Sequence, residues 1–399
     1  MPIPTAFHAR TAPLCQSHEW RSWSGYLAAS LYEPTHEREY YAIRNAAALI
    51  DVSPLFKYEI AGPDALRLVN RVVTRDVRRC AVGQVMYTPW CDEAGKIIDD
   101  GTVARLSEDR FRLTSADPSW LWFSDCGYGL DVQVRDVSAE LASLALQGPN
   151  ARPILTALAP QAGLEQLKYF RLAQTRLDDM PLTVTRTGYT GDLGYELWVA
   201  PEHAPRLWDR LMEAGRGYGL MPAGMVALDL ARLEAGLLLI EVDYIASFKA
   251  LIEAQKSSPY DVGLDWTVAL DKGNFIGRAA LRAERARGSK WQLVGLDVHW
   301  DALERLFGAV DLAPRVAGRA SRAAVPIYAP DGRQIGQATS SGFSPILKKY
   351  IALGTVLRPH GQLSGEVDIE LTVEYVRQRA RATIVKTPFY QPAQKKSNW

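Results

Sequence analysis

The sequence predicts an α+β chain of more than one domain, and three observations carry that expectation. Up to about residue 285, short β-branched runs alternate with amphipathic helices, and a strand–turn–helix unit at 58–73 recurs at 141–158. From about Trp291 the pattern changes to short strands punctuated by Gly and Pro, without a strong helix, as in a small β sandwich or barrel. A chain of 399 residues, 47% of them hydrophobic, is long enough for two or three cores. The expected division is an α+β body over 1–285 and a β domain over 290–390, parted by the charged segment Arg282–Lys290.

Each element follows from local chemistry. Residues 1–35 show no clear period and read as irregular, with His8, His18, Trp20, Trp23, Tyr26 and Tyr32 as an aromatic arm or a pocket wall. Glu37–Ala48 is rich in helix formers. Leu49–Ser53 reads as a short buried strand, and Lys57–Ile60 alternates. Gly62-Pro63-Asp64 then opens a helix over Ala65–Val73. Gln84–Cys91 and Lys96–Val103 flank a turn at Asp92–Gly95 and predict a hairpin. Arg110–Ser115 and Leu141–Leu146 predict strands; Pro118–Cys126, Asn150–Leu158, Pro201–Gly217 and Pro222–Ile240 predict helices. In the β domain, strands are expected at 292–298, 325–328, 334–340, 350–355, 367–373 and 381–385, and the tail Gln391–Trp399 is expected to fray.

Composition removes several function classes. A net charge of +1 offers no nucleic-acid or membrane surface, and no apolar run is long enough to span a bilayer. Met1–Pro4 lacks a signal-peptide core, and Cys15, Cys80, Cys91 and Cys126 form no CxxC pair. A reduced, cytoplasmic protein is the expectation. The histidines show no ligand spacing, so no metal is expected. There is no GxGxxG after a strand, P-loop, HExxH or GxSxG, which argues against nicotinamide or flavin domains.

The stretch Arg186–Leu197 is the candidate site. It follows the strand-like Pro181–Thr185 and leads into a second strand at Trp198-Val199. Its three glycines, 188, 191 and 194, mark a turn of close approach that would bring Tyr189 and Glu196 to one side. A ring and a carboxylate suit a flat, nitrogen-rich ligand, whose N–H groups the carboxylate accepts. An ordinary hairpin with a surface acid fits the same spacing. Asp99 and Asp100 are adjacent in an apolar strand, so one must point inward, where a carboxylate needs a partner or a function. Arg232 interrupts an apolar helix stripe, as an ion-pair partner or a ligand contact. Glu241–Tyr244 forms an acidic and aromatic loop after that helix.

Taken in order, Arg10–Leu14, Arg44–Ser53, Gly95–Asp100, Gln147–Pro149, Arg186–Glu196, Pro222–Gly224, Arg232–Ala235, Gly263-Leu264, Thr339–Pro345 and Lys386–Tyr390 resemble the glycine cleavage T-protein family, the tetrahydrofolate-dependent aminomethyltransferases. The resemblance covers nearly the whole chain. It implies a multidomain α+β body of two intertwined subdomains with a C-terminal β barrel, around a folate channel. It implies tetrahydrofolate as cofactor, with Tyr87, Asp100, Tyr189, Glu196 and Arg232 at its site, Asp100 lying beside the reacting nitrogens.

The departures from the family pattern lie elsewhere. Leu228 stands where an arginine is usual, Ile240–Asp243 where Tyr-Gly-Asn-Asp is usual, and Ser53-Pro54-Leu55 where Ser-His-Met is usual. The folate side is kept and the donor side is rebuilt, which argues against a lipoyl-protein partner and for a small-molecule methyl donor. The chain is also similar to the family's tetrahydrofolate-dependent O-demethylases of vanillate, syringate and 3-O-methylgallate. That branch implies methyl transfer from a methoxylated aromatic acid to give 5-methyltetrahydrofolate, with Tyr244 as acid to the leaving phenolate and Arg10, Arg21 or Arg44 on the substrate carboxylate. The alternatives are demethylation of a sulfonium or quaternary ammonium compound in a cage of Trp20, Trp23, Tyr26 and Trp120, aminomethyl transfer, or a folate-binding role without turnover. An iron–sulfur assembly relative is disfavoured, because Lys272-Gly273-Asn274 lacks its cysteine.

Overall fold

A computed structural model describes residues 1–397 and shows a small N-terminal sheet, two larger open sheets and a closed barrel, with one buried helix packed between the six-stranded sheet and the barrel. A six-stranded sheet runs in the order 172–177, 180–185, 194–199, 142–147, 47–51 and 220–222. Helices Ala151–Leu158 and Ala204–Gly215 cover it, burying Ile154, Leu155, Leu207 and Leu211 against Leu144, Leu146, Val184 and Leu197. A five-stranded sheet runs in the order 85–91, 97–107, 110–115, 56–61 and 133–136. Helices Ala65–Val72 and Trp120–Cys126 seal its far face through Leu68, Val69 and Phe123. The strand–turn–helix units read from sequence thus form one in each sheet.

The C-terminal domain is a closed six-stranded barrel, Trp291–Val298 pairing with both Lys349–Leu357 and Val376–Val385. Closure leaves no free sheet edge there. Its strands fall where Gly and Pro punctuation placed them. One helix, Trp300–Gly308, was not expected; it buries Ala302, Leu303 and Phe307, a one-faced i, i+1, i+5 pattern too short to stand out.

The buried helix is Met225–Glu234, in which every residue from Val226 to Glu234 is buried. It ends far short of Ile240. Gly236 takes a left-handed φ of +64° just past the end, and Leu238 and Ile240 continue as loop in another apolar cluster. The N-terminal arm is also more ordered than its sequence implied. Trp20–Trp23 and Tyr26–Ala29 form a hairpin whose turn residues, Ser24 and Gly25, both have positive φ. At the other end, Ala393–Lys395 makes a 3₁₀ turn rather than fraying, and the Lys395 and Ser397 carbonyls accept from Arg186 Nη2 at 3.1 and 2.5 Å. Asn398 and Trp399 lie outside the described residues. Among the described residues no helix is long and apolar enough to cross a membrane.

Candidate active site

The site forms where the two sheets, the buried helix and the loop after it converge. In the hairpin, the second strand begins at Gly194, so Glu196 lies on the strand opposite Thr185 and not in the turn. The glycines have a packing reason. A Cβ at Gly188 or Gly194 would stand 2.1 or 2.2 Å from the Gln147 amide, and one at Gly191 2.4 Å from Ala235. Gln147 in turn accepts from Thr190 Oγ1 at 2.8 Å and so clamps the loop. The close approach is to the protein's own core, and the loop sends Tyr189 and Glu196 into neighbouring spaces.

Glu196 faces a small cavity between the sheets, lined also by Val85, Thr102, Leu172, Thr185, Thr187 and Trp198. Its Oε2 accepts from Thr187 Oγ1 at 2.6 Å and Thr185 Oγ1 at 3.2 Å. Burial raises its pKa, and the two hydroxyls partly offset this. Oε1 has no hydrogen-bond partner among the described residues. A carboxylate held by two threonine hydroxyls, with its second oxygen unpartnered among the described residues, keeps acceptor capacity for N–H donors. Glu196→Gln keeps the shape and loses the charge-assisted acceptor. It is expected to weaken tetrahydrofolate binding about 10- to 100-fold, read by calorimetry, with little change in thermal stability.

The paired acids divide as the strand period requires. Asp99 is fully buried; its oxygens accept from the Asp100 and Asp117 amides at 2.7 and 2.9 Å. Burial and the Asp100 charge push its pKa well up. Asp100 points the other way, half-buried, and accepts from the Tyr244 hydroxyl. Tyr87, two residues before Asp100's cross-strand partner Pro89, donates to it as well. Desolvation raises the Asp100 pKa, the two phenols lower it, and Asp243 raises it further. Burial and Asp100 push both phenols well up, so the protons stay on the tyrosines. Tyr189 donates to the Leu238 carbonyl, and its electrostatic neighbours include Arg232, Asp100 and Asp243. Asp100 makes no ion pair among the described residues.

Arg232 has its three nitrogens committed. Nε donates to Asp229 at 2.8 Å, Nη1 to Asp243 at 2.7 Å, and Nη2 to Ser340 of the barrel at 2.9 Å. Asp243 also accepts from Thr339 and Ser340, both at 2.7 Å. Arg232 therefore positions the loop that carries Tyr244. Arg44 is equally committed, donating to Glu234 at 2.6 and 2.9 Å, with both side chains fully buried. Arg10 pairs with Asp209 at the surface, and Arg21 donates to Ser30. Arg10 and Arg44 are thus paired with carboxylates, whereas Arg21 makes no ion pair among the described residues. Of the suggested cage, Trp20, Trp23 and Tyr26 share one hairpin, Trp23 paired with Tyr26 and packed in the cluster of Tyr189 and Leu228, while Trp120 donates to the Val134 carbonyl at the edge of the five-stranded sheet. Thr187, Thr339 and Ser340 lie in stretches that carry the family resemblance, but neither they nor Thr185 were assigned a role, since hydroxyls in strands are common. Among the described residues no group of His, Cys, Asp and Glu can hold a metal ion.

Comparison with known proteins shows the family and the fold. Residues 4–272 match the GCVT N-terminal domain, and residues 310–391 match the glycine cleavage T-protein C-terminal barrel domain. An aminomethyltransferase from Moorella thermoacetica is 35% identical over 378 residues, covering 94% of each chain. A trimethylamine-oxide aldolase from Ruegeria pomeroyi is 35% identical over 401 residues, covering 97% of this chain, which spans only 47% of that relative's length. The structure of the glycine cleavage system aminomethyltransferase T from Bartonella henselae superposes with a TM-score of 0.81 over 98% of this chain and 99% of the other, at 24% identity, which speaks to fold. The chain is a member of the glycine cleavage T-protein family, enzymes of tetrahydrofolate-dependent one-carbon transfer.

Proposed function

We propose that this protein transfers a one-carbon unit at the formaldehyde oxidation level from a cationic, nitrogen-linked small-molecule donor to tetrahydrofolate, the donor's C–N bond breaking to release its amine and a proton as 5,10-methylenetetrahydrofolate forms. One observation carries the reading: Asp100 is a half-buried carboxylate walled by phenols, and no cation of the chain pairs with it among the described residues. An uncompensated carboxylate in a partly dry pocket attracts a positive group and repels a second anion. A methoxylated aromatic acid brings that second anion, and Arg10 and Arg44 are tied to carboxylates of their own. An ammonium or iminium carbon supplies the missing charge. Aromatic walls from Tyr87, Tyr189 and Tyr244 suit the same cation.

The relatives support the oxidation level and the nitrogen linkage, since one is named for aminomethyl transfer and another for an amine oxide. When bound, tetrahydrofolate supplies the nitrogens that accept the carbon. The chain's residues do the rest. Glu196 orients the pterin, Asp100 holds the positive donor carbon in line, and Tyr244 and Tyr87 fix the Asp100 carboxylate. Leu228 packs in an apolar cluster with Tyr40, Ile50 and Val52, where the family pattern has an arginine. That replacement supports a free amine in preference to a lipoyl arm.

The test is anaerobic incubation with tetrahydrofolate and separate pools of aminomethyl donors, N-methyl amines, sulfonium compounds and methoxybenzoates. 5,10-Methylenetetrahydrofolate with the aminomethyl pool is expected; 5-methyltetrahydrofolate from a methyl donor, with no methylene product from the aminomethyl pool, would overturn the proposal.

A second reading, O-demethylation, draws on the Tyr244 hydroxyl, a phenol beside the reaction centre that could meet an oxygen leaving group. The two readings differ in a mutant. With an amine donor, Tyr244→Phe lowers kcat only about tenfold, because it loosens Asp100 without removing a required proton. With an aryl ether it would lower kcat by about 10²–10⁴, the scale of general acid catalysis.

A further inference from the structure

The loop that carries Tyr244 holds one residue in a conformation its type disfavours. Glu241 takes φ +64°, the left-handed region that glycine enters freely and a glutamate enters under strain. The family pattern has its glycine at this position, so a relaxed alternative exists. The turn itself does not need the glutamate. It is closed by the Glu241 amide, which donates to the Tyr244 carbonyl at 2.7 Å, and a glycine amide would do the same. What glycine lacks is the carboxylate.

That carboxylate has two partners. Its Oε1 accepts from the Ala246 amide at 3.2 Å and lies 3.8 Å from Lys249 Nζ. Lys249 Nζ also pairs with Asp117 at 2.5 Å, and the Asp117 amide donates to Asp99 at 2.9 Å. The contacts thus begin and end at the site, since Tyr244 bonds Asp100 and Asp99 precedes it in the strand. Two further contacts seat the same loop on the five-stranded sheet and its helix. Ser247 N donates to the Ile97 carbonyl at 2.8 Å, and Phe248 meets Trp122 edge to face with centroids 5.5 Å apart. The Lys249 and Glu241 side chains are 48% and 39% exposed, and ion pairs at that exposure contribute little to stability. Stability is therefore no reason to keep a strained glutamate here. Placement of the loop over the paired acids is one.

We infer that Glu241 and Lys249 are positioning residues, a clasp that holds the Tyr244 loop against the strand of Asp99 and Asp100 and so fixes the Tyr244–Asp100 contact. This rests on the reading of Asp100 as the group that faces the donor. The test compares the full chain with its Glu241→Gly, Lys249→Met and Lys249→Arg variants. Three quantities are measured: the urea midpoint, amide hydrogen exchange over residues 244–250, and kcat for 5,10-methylenetetrahydrofolate formed from the aminomethyl pool. Glu241→Gly and Lys249→Met are expected to keep the parent's midpoint, to exchange about tenfold faster in that segment and to lose about tenfold in kcat. Affinity for 5-formyltetrahydrofolate stays at the parent's value. Lys249→Arg keeps the charge and restores both exchange and kcat. Combining Glu241→Gly with Lys249→Met is expected to cost no more than the worse single change, because either one opens the same clasp. Exchange as slow as the parent's in both single variants would overturn the clasp whatever the activity. A loosened loop with unchanged kcat, or a kcat loss matched by a lower midpoint, would overturn the positioning role while the functional reading stands. If the parent protein turns over no donor, the functional reading fails and the positioning role fails with it.

Discussion

Asp100→Asn is expected to lower kcat about a thousandfold while leaving the affinity for 5-formyltetrahydrofolate within a few-fold, as befits a group that acts on the reacting carbon. The asparagine is nearly isosteric and can still accept from Tyr244 and Tyr87, so the fold has no cause to fail. What it loses is the negative charge that faces the donor. The pH profile gives a second readout. Desolvation raises the Asp100 pKa, so activity, which needs the carboxylate, falls off on the acid side above the ordinary aspartate range. The Tyr244 hydroxyl works against that rise by bonding the ionised form. Tyr244→Phe removes it and moves the acid limb to higher pH. A limb that moves to lower pH, or not at all, would mean that a different group sets it.

Arg232→Met is expected to destabilise the protein by about 3–5 kcal/mol, because the loss of a buried partner strands charge. Asp243 would keep three hydrogen-bond donors, Leu239 N, Thr339 and Ser340, but no cation. Asp229 would keep Arg322, whose Nε donates to it at 2.6 Å. The larger deficit thus falls on Asp243, and adding Asp243→Asn to Arg232→Met should recover part of the loss. Urea denaturation of the two variants checks this. The consequence for function is positional. Asp243 is the residue before Tyr244 and ties that loop to the barrel, so the single mutant should also disturb the Tyr244–Asp100 contact and lower kcat. If Arg232→Met were as stable as the parent, this network would not be what holds the barrel to the body.

How much of this was legible in the sequence depends on the range of the signal. The barrel strands and the strands of both sheets were readable because apolar alternation and Gly or Pro breaks are local. The division of Asp99 from Asp100 followed from the strand period alone. The end of the buried helix was misread because Leu237–Ile240 keeps the apolar character of the helix, and Gly236 alone marks the stop. The Ser24-Gly25 turn was likewise a local signal, but the flanking tryptophans and tyrosine masked the alternation. The ion-pair network was not legible. Arg44 and Glu234 are 190 positions apart in the chain, and Arg232 meets Ser340 across 108. Only packing decides that these arginines face acids of the core and not a substrate. The donor class turns on that same point, since Arg10 and Arg44, two of the three arginines nominated for an acidic substrate, are paired with carboxylates, and Asp100 is left without a cation among the described residues.

The measurement that tests the central claim most directly is the oxidation level of the carbon delivered. Protein, tetrahydrofolate and a ¹³C-labelled aminomethyl donor are incubated without oxygen, and the labelled folate is separated and weighed by mass spectrometry, with Asp100→Asn as the control for spontaneous transfer. Label in 5,10-methylenetetrahydrofolate, formed by the parent protein and not by the variant, is the predicted result. Label absent from that product, with 5-methyltetrahydrofolate formed from a methoxybenzoate in its place, would contradict it.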